Sequence, residues 1–137
     1  MYMFMVKKFV DIHLTVDIIT DLLLAHVQFL NNSDKEIYLD TKTICSDNRT
    51  TRSVFDITDE HQNKVKYKGV LVKRVVVPED YISLKVGEKI EAQIVLNEVY
   101  KLEKGNKYNI QYSVFHPTYM DEAGFTKLES NKVEVSY

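Results

Sequence analysis

Any chemistry in this 137-residue chain rests on four histidines, one cysteine and 20 carboxylates. The histidines, His13, His26, His61 and His116, are scattered, and no two stand at the spacing that brings a pair of imidazoles onto one metal ion. The densest grouping is "HPTYMDE", where His116, Asp121 and Glu122 share one short segment. Calcium takes several oxygen ligands at ordered spacing, and that order is missing, so the segment reads as an ordinary solvated loop. Glu60–His61 reverses the order of a helical His-Glu-x-x-His and falls in a turn-forming stretch, "DEHQNK". Nothing beside Cys45 in sequence supplies the base that activates a nucleophilic thiol, so it reads as a small, half-buried residue. The 4 glycines stand apart from one another, which excludes a Gly-rich phosphate loop, and no nucleophile elbow is present. Asp17 and Asp21 fall at strand ends, where solvated turns explain them. "NNS" at Asn31 and "NRT" at Asn48 match the N-glycosylation pattern, and without a secretory signal they read as chance. The expectation is no catalytic residue, no cofactor and no metal.

Binding chemistry is better represented. Lys64, Lys66 and Lys68 alternate with Val65, Tyr67 and Gly69, and Lys73 and Arg74 extend the series. Such a stripe is either a patch for an acidic partner or a solvated face that guards an edge strand. Asp59, Glu60, Glu79 and Asp80 are the carboxylates expected to neutralise it. The second feature is the stretch from His116 to Asn131, read as a long loop carrying Tyr119, Met120 and Phe125. Long loops on rigid scaffolds carry binding, and aromatics and Met are enriched at interface cores. The competing expectation is that Phe125 and Leu128 fold back to cap the scaffold.

The framework that must hold these groups has period two. Val10, Ile12, Leu14, Val16 and Ile18 alternate with Asp11, His13, Thr15 and Asp17, the pattern of a half-buried strand with His13 on its polar face. "LLLAHVQFL", "IYLD", "VFDIT", "YISL" and "IEAQIVL" follow as strands separated by turn formers such as "NNSDKE". "TKTICSDNRTTRS" reads as a polar connection crossing between sheets. "VKYKGVLVKRVVV" reads as a long strand or a broken pair, with Gly69 at a bulge or crossing. "NEVYKLEKG" has room for one helical turn, and "KVEVSY" closes the chain. The sum is about seven to nine strands, an all-β, immunoglobulin-like antiparallel β-sandwich. Gly105 followed by Tyr108 fits the tyrosine corner of such sandwiches, with Tyr108, Ile110, Tyr112 and Val114 facing inward and Lys107, Asn109, Gln111 and Ser113 outward.

The totals agree with a single domain spanning residues 1–137, with 1–8 as a loose extension. Hydrophobic residues make up 45% of the chain, enough for a core at this size. A net charge of −2 argues against a nucleic-acid binder, and no apolar window is long enough for a membrane span. One cysteine excludes an internal disulfide and fits a reducing compartment. In "MYMFMVKKF" the lysines follow the apolar residues, the wrong order for a signal peptide. The expectation is a soluble chain, with the cytoplasm favoured.

Four pieces occur together and in order: "YKGVLVKR", "YISLKVGEKIEAQIVL", "YKLEKGNKYNIQYSV" and "LESNKVEV". With "VQFLNNSDKEIYL" ahead of them, the series resembles the non-catalytic N-terminal domain of deuterolysin-type peptidyl-Lys zinc metalloendopeptidases. The shared elements are an L-x-x-G-E turn, Y-x-L-x-x-G-x-x-Y and a terminal L-x-S-N-x-V, over residues 10–137. The resemblance implies an immunoglobulin-like fold with a protease-associated history. It carries over no catalytic residue, because the zinc-binding His-Glu-x-x-His is missing from this sequence. Three functions stay open: a non-catalytic module binding a protein partner such as a peptidase, a protease inhibitor or immunity-like protein acting through residues 41–53 or 116–131, and a metal-dependent hydrolase. Tyr119, Met120, Phe125, Lys64, Lys66 and Lys68 are the candidate partner-binding residues. Neither nucleic acid nor a membrane is expected as a partner.

Overall fold

The structure, a computed structural model, describes residues 10–72, 77–117 and 125–137. Among these residues the chain forms eight strands: β1 (Asp11–Ile19), β2 (Leu22–Leu30), β3 (Ile37–Asp40), β4 (Phe55–Asp59), β5 (Tyr81–Leu84), β6 (Lys89–Val95), β7 (Lys107–Pro117) and β8 (Phe125–Ser136). One short helix, α1 (Leu96–Val99), is the helical turn expected after β6. The strands pair antiparallel in three sheets ordered β1-β2-β6, β3-β5 and β4-β7-β8. The fold is all-β and sandwich-like.

Alternation places the core. Leu23, Ala25, Val27 and Phe29 of β2 point inward, as do Tyr108, Ile110, Tyr112 and Val114 of β7. Phe29 meets Tyr112 edge-on, with ring centroids 5.3 Å apart, so the first sheet packs on the third. Edge-to-face contact between such aromatics stabilises the core beyond what their buried area contributes.

The tyrosines are anchored through their hydroxyls. Tyr108 Oη accepts the Glu103 N–H (2.8 Å) and donates to the Glu103 carbonyl (3.1 Å), which is the expected tyrosine corner. Gly105 lies inside that corner at φ +90°, a conformation glycine adopts at little cost. Tyr100 is fully buried, and its hydroxyl accepts the Phe55 N–H at the start of β4 (2.9 Å). Tyr112 donates to the Thr43 carbonyl (2.7 Å). All three are scaffold.

The motifs of the resemblance have structural roles here. In L-x-x-G-E, Gly87 takes φ +82° and Glu88 Oε1 accepts the Lys85 N–H (2.7 Å), closing the β5–β6 turn. Buried Asn31 ties this turn to the one after β2. Its amide donates to the Leu84 and Lys35 carbonyls, and its Oδ1 accepts from Ser33. An amide engaged in this way is closed to glycosylation. In L-x-S-N-x-V, Ser130 and Asn131 form a β-bulge opposite Tyr112. Ser130 Oγ accepts the Tyr112 N–H (3.0 Å). The Asn131 side chain accepts the Leu14 N–H (2.8 Å) and donates to the Leu14 carbonyl (3.0 Å), so a side chain imitates a strand partner and joins β1 to β8.

Several expectations need correction. Residues 116–131 are not one loop: β7 runs on through Pro117 and β8 begins at Phe125. "VKYKGVLVKRVVV" forms no strand in its described part, only an isolated bridge at Tyr67, with another just ahead of it at Lys64. Gly69 answers to packing instead of a bulge, since a Cβ there would lie 2.6 Å from the Tyr67 hydroxyl. Cys45 is fully buried instead of half-buried.

Candidate functional site

One of the four histidines, His116, sits in a cluster of groups able to do chemistry, and each of these is engaged structurally; His13 lies on β1, His26 on β2 and His61 in the turn after β4. His116 is buried on β7, not in a solvated loop. Its Nε2 accepts the Asp40 N–H (2.8 Å), which requires a neutral ring, and burial pushes the imidazole pKa down to about 4. Buried Asp40 accepts the Thr43 hydroxyl (2.6 Å). Arg52 donates to Thr43 Oγ1 and to the Phe115 carbonyl, both at 3.2 Å. Tyr81 packs edge-on to His116 and donates to the Pro117 carbonyl (3.1 Å). The cluster thus pins β3 and β5 to β7. Cys45 is also buried, and burial pushes its thiol up to about 12, far from the thiolate a nucleophile needs. Among the described residues no three His, Cys, Asp or Glu side chains are grouped to hold a metal. Asp121 and Glu122 lie outside the described residues.

Lys64, Lys66 and Lys68 of the basic stripe are exposed as expected, but on a different support; Lys73 and Arg74 lie outside the described residues. Residues 64–68 cross from β4, where Val65 N–H bonds the Ile57 carbonyl (2.8 Å), to residues 99–101, where Tyr67 bridges Tyr100. Val65 and Tyr67 pack against the core while Lys64, Lys66 and Lys68 face solvent. The neutralising carboxylate is Asp56, 3.7 Å from Lys64 Nζ. Asp59 and Glu60 are occupied elsewhere: Asp59 accepts the His61 and Asn63 N–H groups, and Glu60 accepts the Lys107 N–H.

At the far end of β7–β8, two phenylalanines stand on the outer face. Phe125 is 62% exposed and Phe115 59%. The register sets Phe115 opposite Lys127 and Pro117 opposite Phe125, so all four share one side of the hairpin. Lys127 Nζ sits 4.4 Å from the Phe115 ring centroid, a cation–π contact. The expectation that Phe125 and Leu128 cap the core divides: Leu128 is buried and Phe125 is not. Tyr119 and Met120 lie outside the described residues. Phe115 was not singled out from sequence, although period two from Lys107 through Ser113 puts it on the outward face.

The outer face of β4-β7-β8 also holds a shallow depression of about 340 Å³ lined by Asp56, Thr58, Gln62, Asn109, Gln111 and Lys132. It is polar and open, without an enclosed reaction centre. Among the described residues no helix is long and apolar enough to cross a membrane. No protein-family model matches the chain, and no curated protein is similar to it in sequence.

Proposed function

We propose that this chain is a non-catalytic, immunoglobulin-like module that binds a protein partner through the outer end of β7–β8. The observation that carries this reading is the pair of exposed rings, Phe115 and Phe125, on one side of the paired strands β7 and β8. Exposed aromatics on a fixed backbone offer large contact area at little entropic cost, which is what interface anchors need. The inward positions nearby are occupied by the Asp40–His116–Arg52 cluster, which stiffens the platform. A peptidase is the partner class that the family resemblance favours. The test is crosslinking capture with the full chain and with the Phe115→Ser/Phe125→Ser variant. A partner recovered by the first and lost by the second supports the reading; equal recovery, or none under several conditions, refutes it.

Inhibition is the second use of the same hairpin end. A panel of serine and metallopeptidases assayed with excess protein separates the two readings. Slowed turnover identifies an inhibitor, and unchanged turnover with retained capture leaves a docking module. Residues 41–53 suit inhibition less, because hydrogen bonds from Thr41, Thr43, Ser46 and Asn48 hold that segment down.

A further inference from the structure

We infer that the ribbon made by residues 64–68 and 99–101 is a docking face for an acidic, partly apolar polypeptide segment. The inference rests on the binding-module reading and adds the chemistry of one partner segment.

The backbone geometry supplies the first reason. Lys68 N–H donates to the Val99 carbonyl (2.7 Å) and Lys101 N–H to the Lys66 carbonyl (3.1 Å), on either side of the Tyr67–Tyr100 bridge. This register sets Lys66 directly across from Lys101, and both are exposed. Like charges opposite one another weaken an antiparallel pair, so the arrangement does not serve the fold. Lys64 has Asp56 beside it. Among the described residues no carboxylate lies within ion-pair distance of Lys66, Lys68 or Lys101. The chain as a whole carries −2, so the positive face is local and not a by-product of composition.

The second reason is the surface next to the lysines. Val70 is 65% exposed, Leu71 75% and Val72 43%. They are held in place: the Tyr67 hydroxyl bonds the Val70 carbonyl and Thr50 Oγ1, and Val72 N–H bonds the Thr51 carbonyl. Between Asn48–Thr50 and Lys68–Val70 lies an open groove of about 540 Å³, lined also by the aliphatic Ile94, Val95 and Val99 and by one carboxylate, Glu98. Lysines without counter-ions call for carboxylates. Aliphatic side chains beside a groove call for apolar side chains next to those carboxylates. A polypeptide offers both, whereas nucleic acid offers charge without aliphatic groups.

The test is selection of a random-peptide display library on the immobilised full chain, followed by affinity measurement of the selected peptides. The expected peptides carry Asp or Glu beside Leu, Val, Ile or Phe, and bind more weakly as salt is raised. Lys66→Glu/Lys101→Glu should weaken them about tenfold or more, while Lys66→Arg/Lys101→Arg keeps them within about twofold. Lys68→Glu gives a second variant if the double charge reversal does not fold. Peptides without acidic enrichment, or with equal affinity for the charge-reversed protein, overturn the inference. So does an oligonucleotide or an anionic vesicle that binds more tightly through the same lysines. Peptides that depend on Phe115 and Phe125 but not on the lysines overturn it while leaving the module reading intact. A library that yields nothing counts against both.

Discussion

Acid should loosen this fold through one residue. His116 is buried and accepts the Asp40 N–H through Nε2, so its neutral form is the one the structure holds. Protonation would turn that acceptor into a donor facing another donor. The ordinary pKa of 6.5 falls to about 4, chiefly by burial, while Asp40 pulls it upward and Arg52 downward. Because the folded value lies below the unfolded one, the unfolded chain takes up the proton first. The stabilisation is therefore fully present above about pH 6.5 and is lost as pH falls toward 4. Working the two titrations through, the loss between pH 7 and pH 5 is about 2 kcal/mol, and about 3 kcal/mol once both states are protonated. Urea unfolding at pH 7 and pH 5 measures the first figure, with His116→Gln as the reference for losses that other groups cause. The wild type should lose about 2 kcal/mol more than the variant over that interval. Equal losses would refute the reasoning, as would a His116 imidazole that titrates near its ordinary value in folded protein by NMR.

Other perturbations separate the scaffold contacts. Tyr100→Phe strands the buried Phe55 N–H and should cost about 2 kcal/mol, whereas Tyr108→Phe, whose partner Glu103 is exposed, should cost about 1 kcal/mol; urea midpoints that reverse this order would count against the assignment. Asn131→Ala removes both bonds to Leu14 and should cost about 1–2 kcal/mol. Asn131→Asp should recover only part of that loss, because a carboxylate accepts the Leu14 N–H but repels its carbonyl. Gly69→Ala should displace the Tyr67 ring, visible as a changed Tyr67 chemical shift, and an unmoved ring would show that the close contact does not constrain the site.

Much of the framework was legible in the sequence, and the failures have physical causes. Period two found the inward face of β7 because nothing interrupts it from Lys107 to Phe115. The same rule missed the first half of β8. Leu128 and Ser130 are buried at even positions, while Val133 and Val135 turn inward at odd ones, because the bulge at Ser130–Asn131 shifts the phase. Gly105 with Tyr108 was readable because corner chemistry is local in sequence. His116 was misplaced because its partners, Asp40 and Tyr81, are distant in sequence and no local pattern announces them. "VKYKGVLVKRVVV", residues 65–77, reads from sequence as a long strand or a broken pair. Its described part makes only an isolated bridge at Tyr67, and Val70 and Leu71 stay in solvent, so tertiary pairing overrode propensity. Lys64, Lys66 and Lys68 were correctly set outward by alternation, whereas Lys101 became part of that face only through the Tyr67–Tyr100 bridge.

Cys45 gives the protein a built-in clock. Its thiol is 1% exposed and raised to about 12, so an alkylating reagent reaches it only in molecules that have opened around residues 40–45. Labelling should then follow how often β3 and its trailing segment part from β7, with no added dye and no engineered probe. A substitution that loosens the His116 cluster would quicken that clock even where the overall unfolding midpoint barely moves.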